Sequence, residues 1–288
     1  MPPHSQHTRR IYEACLKVLR DAFKAPNLQF LEDASGVIQF VEAMDRSENT
    51  KKMYYIALKS TCRDLPDKTP ALKAAELAYQ AKMDAYNAAV RERMERQEMD
   101  DREKALWIDW PDVLKARTRA FETACDLYTY QDAIILSLYT FLPPSRVDYA
   151  PMRVVQSENE APTGNLLLVR PSSMEFVMRE YKTASKYGTN RIRVPKDLDI
   201  ILRDWLELNP SGWLLCAQDG LPMTEKQLGS KVRAIFTRLV GKPVGVNILR
   251  HSFVSFLRKD EPTLQSQKHV AEAMGHSIGM SLLYRRIQ

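Results

Sequence analysis

The 288-residue sequence lacks any apolar run approaching the roughly eighteen residues that a membrane-spanning helix needs, so a membrane partner is not expected. It has no CxxC pair. The four cysteines, Cys15, Cys62, Cys125 and Cys216, lie far apart, which argues against both a zinc site and a disulfide framework and for reduced, mostly packed thiols. The N-terminus, Met1-Pro2-Pro3-His4-Ser5, is polar and carries no apolar stretch of the kind that directs secretion, so an intracellular protein is expected. There is no internal repeat and no carboxylate cluster of the sort that holds a catalytic metal; no cofactor is implied. What is present is a globular composition, 44% hydrophobic and 27% charged, on a chain long enough for two ordinary domains.

The charge is unevenly spread. Residues 1–115 hold 19 basic and 19 acidic side chains, while residues 116–288 hold 23 and 17, so the whole excess of +6 lies in the C-terminal part. A basic surface attracts phosphate backbones through charge pairing and counterion release, although basicity alone does not make a nucleic-acid binder.

Hydrophobic spacing divides the chain in the same place. Helical periodicity runs through residues 8–24, where Ile11, Cys15, Val18 and Leu19 share a face, through a block around Val37–Met44, and from about Thr50 to Arg63. Residues 71–105 have no Gly or Pro and are rich in helix formers, with a charge run at Arg91–Arg96 that reads as a solvated helix face. Trp107 to Pro111 closes this segment, and a linker is expected near 110–117. Beyond it, Leu127 to Phe141 is an apolar helix stopped by Pro143-Pro144. Three β segments follow, at Leu166–Val169, Met174–Val177 and Arg191–Val194. Helical patterns then return near 197–208, 224–239, 246–258, 263–274 and 278–286. The expected fold is mostly α within the α+β class. It comprises a helical domain over 1–115 and a mostly helical domain over 116–288 that carries a small three-stranded antiparallel sheet at about 165–195.

Five polar residues stand at element ends in a set order. Arg146 follows the proline pair, Lys182 ends the second strand, and Arg250 sits within Leu249-Arg250-His251-Ser252-Phe253. His276 follows a glycine in Met274-Gly275-His276-Ser277, and Tyr284 lies on the last short helix. Taken singly, each reads as an ordinary surface charge, helix cap or packed ring.

As an ordered set they resemble the signature of the tyrosine recombinases of the phage-integrase type. Leu249–Phe253, Met274–Ser277 and Tyr284 are similar to that family's C-terminal boxes. Phe141-Leu142-Pro143-Pro144-Ser145-Arg146 resembles its first arginine box, and Tyr181-Lys182-Thr183 its β-hairpin lysine, with Lys186 as the alternative lysine. The proline pair and the helix-rich segment 71–110 resemble versions carried by large DNA viruses and mobile elements. The resemblance extends over 117–288, and more thinly over 28–65 as the family's helical core-binding domain.

The resemblance implies a site-specific recombinase or integrase that cuts and rejoins double-stranded DNA, without a metal, through a 3′-phosphotyrosine. Arg146 and Arg250 would clamp the non-bridging phosphate oxygens, because guanidiniums stay charged and offer paired donors. His276 would donate to the same oxygens, Tyr284 would be the nucleophile, and Lys182 would protonate the departing 5′ oxygen. A homo-oligomer, tetrameric on DNA, is implied, and the four residues after Tyr284 resemble tails exchanged between subunits of a recombinase ring.

The sequence departs from the family's pattern at three positions. Asn247 stands three residues before Arg250, where the family commonly has a histidine, and an amide cannot take a proton near neutrality; His251, four residues on and hence on a similar helical face, is the alternative base. Tyr284 follows His276 by eight residues rather than nine. The acidic residue after Arg146 is Asp148, two positions on rather than three, where it could orient the arginine. For DNA contact, Thr50, Lys51 and Lys52 open a helix that by resemblance faces DNA, and Lys186, Arg191 and Arg193 flank the turn of the sheet, where they could reach phosphates. Two other readings stay open: a non-catalytic DNA-binding regulator that kept the fold, and a type IB topoisomerase-like enzyme that relaxes supercoils.

Overall fold

The computed structural model describes residues 6–25, 27–258, 263–275 and 277–286. The chain forms two compact units, Met1–Arg96 and Gln97–Gln288.

The first unit is helical: α1 (Gln6–Ala22), a 3-10 turn at Gln29–Glu32, α2 (Ala34–Ala43), α3 (Glu48–Asp64) and α4 (Pro70–Glu95). Local chemistry starts each helix. Ser47 Oγ and Thr69 Oγ1 accept from the backbone N–H of Thr50 and Leu72, and Pro70 occupies the first turn of α4, where it forfeits no helical donor. The apolar faces meet in one core built from Leu19, Val37, Val41, Tyr55, Leu58 and Tyr79. Its polar edge is Glu42, which accepts from Tyr55 Oη at 3.0 Å and Tyr86 Oη at 2.8 Å.

The second unit opens with α5 (Asp101–Leu106), whose start is a reciprocal capping box between Asp100 and Glu103, and α6 (Trp110–Glu122). Next comes α7 (Leu127–Thr140), in which every residue from Gln131 to Tyr139 is buried. A helix buried on every side lies at the centre, and α6, α9 (Lys196–Leu208) and α10 (Glu225–Val240) pack around it; its one buried carboxylate, Asp132, is paired with Lys231 and Arg238 of α10. The strands are β1 (Met152–Val155), β2 (Asn165–Arg170), β3 (Ser173–Met178) and β4 (Asn190–Arg193), with a one-turn helix α8 (Ala184–Tyr187) between the last two. After α9 and α10 come α11 (Val246–Leu257), α12 (Leu264–Ala273) and α13 (Ile278–Leu282).

Mostly-α architecture holds, with three corrections. First, among the described residues the sheet has four strands in the order β1-β2-β3-β4, not three: β2–β3 and β3–β4 are antiparallel as expected, but β1 runs parallel to β2, Met152 opposite Asn165. Four residues following Pro151 carry too little periodicity to announce a strand; β1 exists because Met152 and Val155 find buried places against β2 and its neighbours. Second, the expected linker at 110–117 is the first half of α6. Pro111 begins that helix instead of ending the one before, because a proline in the first turn has no helical hydrogen bond to lose. The break falls earlier, at Gln97, which follows α4 with a positive φ of 57°. Third, α13 stops at Leu282, so Tyr284 lies in the turn beyond it, not on the helix.

Candidate active site

Asn165 at the head of β2 ties together the two loops that matter. Its amide nitrogen donates to the carbonyls of Asp148 (3.0 Å) and Glu180 (2.8 Å), and its amide oxygen accepts from the N–H groups of Arg179 and Glu180, each at 2.8 Å. A buried amide with four satisfied bonds is a rigid joint. It fixes the Arg146 loop against the turn that carries Lys182. That turn begins after β3 ends at Met178, so Lys182 stands exposed beyond the strand rather than at its end.

A cleft of about 630 Å³ opens at this joint. Arg146, Lys182, Asn247 and Arg250 line it together with Asp148, Glu180 and Glu225. Four of the six residues expected to act in catalysis thus share one cavity, although their sequence positions span more than a hundred residues. The cavity is mixed in charge rather than uniformly basic. The Asp148 carboxylate meets Arg146 at the backbone, accepting from its N–H at 3.2 Å, and burial raises the Asp148 pKa. Tyr139 Oη donates to the Arg146 carbonyl at 2.9 Å. The Arg146 backbone is therefore held on both sides, and its half-buried side chain faces the cleft.

Arg250 is 1% exposed. Its Nη1 donates to the Pro144 carbonyl at 2.8 Å and its Nη2 to the Met274 carbonyl at 3.4 Å, which bridges the first arginine loop to the segment before Gly275. Burial lowers its pKa, but a guanidinium stays charged at any physiological pH. Tyr284 lies against it: Arg250 Nη2 is 3.5 Å from Tyr284 Oη, and the guanidinium stands 5.0 Å from the ring centroid. Tyr284 is itself 9% exposed.

His276 lies outside the described residues. Its neighbour Gly275 is fixed beside the cleft, since Thr183 Oγ1 donates to the Gly275 carbonyl at 2.8 Å and a small recess joins Arg146, Lys182, Met274 and Gly275. Gly275 has φ of +71°, a conformation that a residue with a side chain rarely adopts, so glycine suits the position.

His251 is not placed as a base for the Tyr284 phenol. Its Nδ1 is 2.8 Å from the Tyr284 carbonyl, which can only accept, so Nδ1 carries the proton. Its Nε2 lies 3.4 Å from the Asn247 amide and 3.4 Å from Glu103 Oε1. Burial, then the charge of Arg286, pull its pKa down to about 4, so the ring is neutral.

The residues expected to touch DNA divide between the two units. Lys51 Nζ donates to the Glu42 carbonyl at 2.6 Å, Thr50 bonds to Ser47, and Lys52 is half-buried on α3. Arg191 pairs with Glu158 at 2.6 Å and Glu175 at 2.8 Å across the sheet, so its charge is compensated within the fold. Arg193 and Lys186 are exposed, the latter with its ammonium 5.1 Å from the Tyr187 ring centroid.

Two residues that sequence reasoning missed hold the Tyr284 segment. Arg286, 7% exposed, gives Glu103 two bonds, Nη2 to Oε1 at 2.9 Å and Nε to Oε2 at 3.0 Å. Glu103 announced itself only as the fourth residue of a helix-capping pattern, and nothing in sequence points from it to a partner 183 residues away.

No protein-family model matches the sequence, and no curated protein matches it. Solved structures do match. One is a XerH site-specific recombinase bound to a palindromic difH substrate in a post-cleavage complex, with a TM-score of 0.60 and 16% identity over 97% of this chain and 76% of that one. Another is a XerA recombinase, with a TM-score of 0.46 and 13% identity over 99% and 88% of the two chains. The first of these likenesses establishes the fold, which is that of the tyrosine recombinases. Among the described residues no helix is long and apolar enough to cross a membrane.

Proposed function

We propose that the chain is a site-specific DNA recombinase that cleaves and rejoins double-stranded DNA through a covalent bond to Tyr284. The observation that carries this reading is the meeting of Arg146, Lys182 and Arg250 in one cleft with the Tyr284 hydroxyl against Arg250.

The chemistry follows from charge. A phosphodiester under attack gains negative charge on its non-bridging oxygens, and groups already fixed where that charge develops lower the barrier most. Arg250, locked by two backbone carbonyls, is preorganised for this and needs no rearrangement. Arg146 offers a second guanidinium from the opposite loop. The Tyr284 oxygen attacks phosphorus, the bond to the 5′ oxygen breaks, and Lys182 gives that oxygen its proton. His276 would add a donor to the same oxygens. The phosphotyrosine keeps the energy of the broken bond, so a second 5′ hydroxyl can reverse the step on a new partner strand. Asn247 supplies no base, and His251 is committed to the Tyr284 backbone, so loss of the phenol proton falls to water or the DNA itself. Assembly on DNA as a homo-oligomer, with four subunits, belongs to the same proposal.

The solved relative bound to its difH substrate supports double-stranded DNA as the partner. The test is a DNA duplex nicked just beyond the scissile phosphate, so that the released fragment diffuses away and the adduct accumulates. Wild-type protein should yield a protein–DNA species that survives denaturant. No adduct on any duplex that the protein binds would refute catalysis and leave the regulator reading.

A further inference from the structure

The turn that carries Tyr284 follows a helix, α13, of five residues, and its apolar anchor is the Tyr284 ring, packed with Val254, Val270 and Met274. Its backbone is set by polar bonds on successive groups. Arg286 Nη1 donates to the carbonyls of Leu283 (2.8 Å) and Arg285 (3.0 Å). His251 Nδ1 donates to the carbonyl between them, that of Tyr284 (2.8 Å). The Arg286 N–H donates to Ser255 Oγ, a buried hydroxyl on α11, at 2.8 Å. The three carbonyls of residues 283–285 and the next N–H are thus all held, two of them by the Arg286 guanidinium.

That guanidinium is itself held by Glu103. Its remaining nitrogens, Nε and Nη2, form a two-bond fork to the Glu103 carboxylate. An arginine can bridge in this way because its five donors lie in one plane. The carboxylate is fixed in turn, because Oε2 also accepts from the Asp100 backbone N–H at the start of α5. Burial would raise the Glu103 pKa, but Arg286 and the neighbouring His251 hold it below the usual carboxylate range, so it is ionised at neutral pH.

We propose that Glu103 is a positioning residue for Tyr284: through Arg286 it locks the turn 283–286 so that the phenol stands at Arg250. The inference rests on the reading of Tyr284 as nucleophile. Glu103 touches neither the cleft nor the phenol; it acts by fixing the donor that fixes the backbone. Proximity of this kind has leverage, because a small misplacement of a nucleophile costs a large factor in rate.

The test uses the full chain with Glu103→Gln, Arg286→Ala and the double variant. Two quantities are read. Hydrogen exchange of the peptide spanning residues 281–286 reports the lock without requiring catalysis. Single-turnover capture on the nicked duplex, at saturating protein and with affinity measured separately, reports positioning. Glu103→Gln should speed exchange in that peptide and slow capture, each by about tenfold or more, with DNA affinity and exchange elsewhere in the unit unchanged. Arg286→Ala should do worse, because it also frees the carbonyls of Leu283 and Arg285, and adding Glu103→Gln to it should cost nothing further, as it must if Glu103 acts only through Arg286. Wild-type exchange and capture rates in Glu103→Gln, or a further loss when Glu103→Gln is added to Arg286→Ala, would overturn the proposal. Should wild-type protein capture no DNA, the reading of Tyr284 falls, while the exchange data still decide whether Glu103 holds the turn.

Discussion

Acidification should loosen the Tyr284 turn before it unfolds the protein. In the closed state His251 is neutral, its pKa brought from an ordinary 6.5 to about 4 by burial first and then by Arg286, while the Tyr284 carbonyl and Glu103 pull the other way and Arg250 adds a further unfavourable charge. Once the turn opens, the ring meets water and recovers a pKa near 6.5. Between those values the open state holds a proton that the closed state does not. The closed state is therefore fully favoured above pH 6.5, loses ground as pH falls through that value, and reaches its floor near pH 4. From pH 7 to pH 5 the loss is about 2 kcal/mol, or roughly twentyfold in the opening equilibrium. Glu103, ionised with a lowered pKa, contributes in the same direction at lower pH, where its protonation frees Arg286. The assay is hydrogen exchange of the 281–286 peptide, corrected for the intrinsic pH dependence of amide exchange. His251→Asn removes the titrating group and should flatten the profile between pH 7 and pH 5. Protection independent of pH in wild-type protein, or an unchanged pH profile in His251→Asn, would refute the linkage.

Other outcomes follow from the same geometry. Arg250→Lys keeps the charge but not the planar fork that spans Pro144 and Met274; single-turnover cleavage should fall by about a hundredfold or more while DNA affinity, measured by titration, changes little. Lys182→Ala should slow cleavage by a factor on the order of a hundred to ten thousand, and a duplex whose 5′ leaving oxygen is replaced by sulfur, which needs no proton to depart, should restore the rate. Lys186→Ala should leave both substrates unaffected. A fragment beginning at residue 97 should fold, whereas one beginning at 116 removes Ile108, Trp110 and Val113, all buried in the core. At about 1.5–3 kcal/mol for each such side chain the loss is roughly 5–9 kcal/mol, comparable to the whole stability of an ordinary domain. Thermal denaturation of the two fragments distinguishes them.

The features legible in the sequence are those with local causes. The strands β2 and β3 are short apolar runs and β4 an alternation, Arg191-Ile192-Arg193-Val194, between clear turns, and α7 carries the apolar stretch Ala133-Ile134-Ile135-Leu136 before two prolines close it. Arg146, Lys182 and Arg250 were legible as an ordered set, and the fold brings them to one cleft. What escaped has non-local causes. Pro111 looks alike whether it ends one helix or starts another; only the burial of Trp110 and Val113 against the second unit's core decides. β1 is a strand because β2 lies beside it. His251 looked like a possible base because it shares a helical face with Asn247, yet the direction of each ring nitrogen is set by Tyr284 and Glu103 from other parts of the chain. Asn165 carries no signature and Glu103 only that of a helix cap: a polar residue becomes a joint only when the fold supplies four partners or a buried guanidinium.

The central claim is a covalent bond from DNA to one oxygen atom. Its most direct test is capture on the nicked duplex by wild-type and Tyr284→Phe protein, with the adduct digested and the modified peptide identified by mass. Wild-type protein should carry the nucleotide on the peptide containing Tyr284. Tyr284→Phe loses one oxygen and keeps the ring that packs on Arg250 and His251, so it should bind DNA with near wild-type affinity and form no adduct. Full capture by Tyr284→Phe, or a nucleotide on any other residue, would contradict the account.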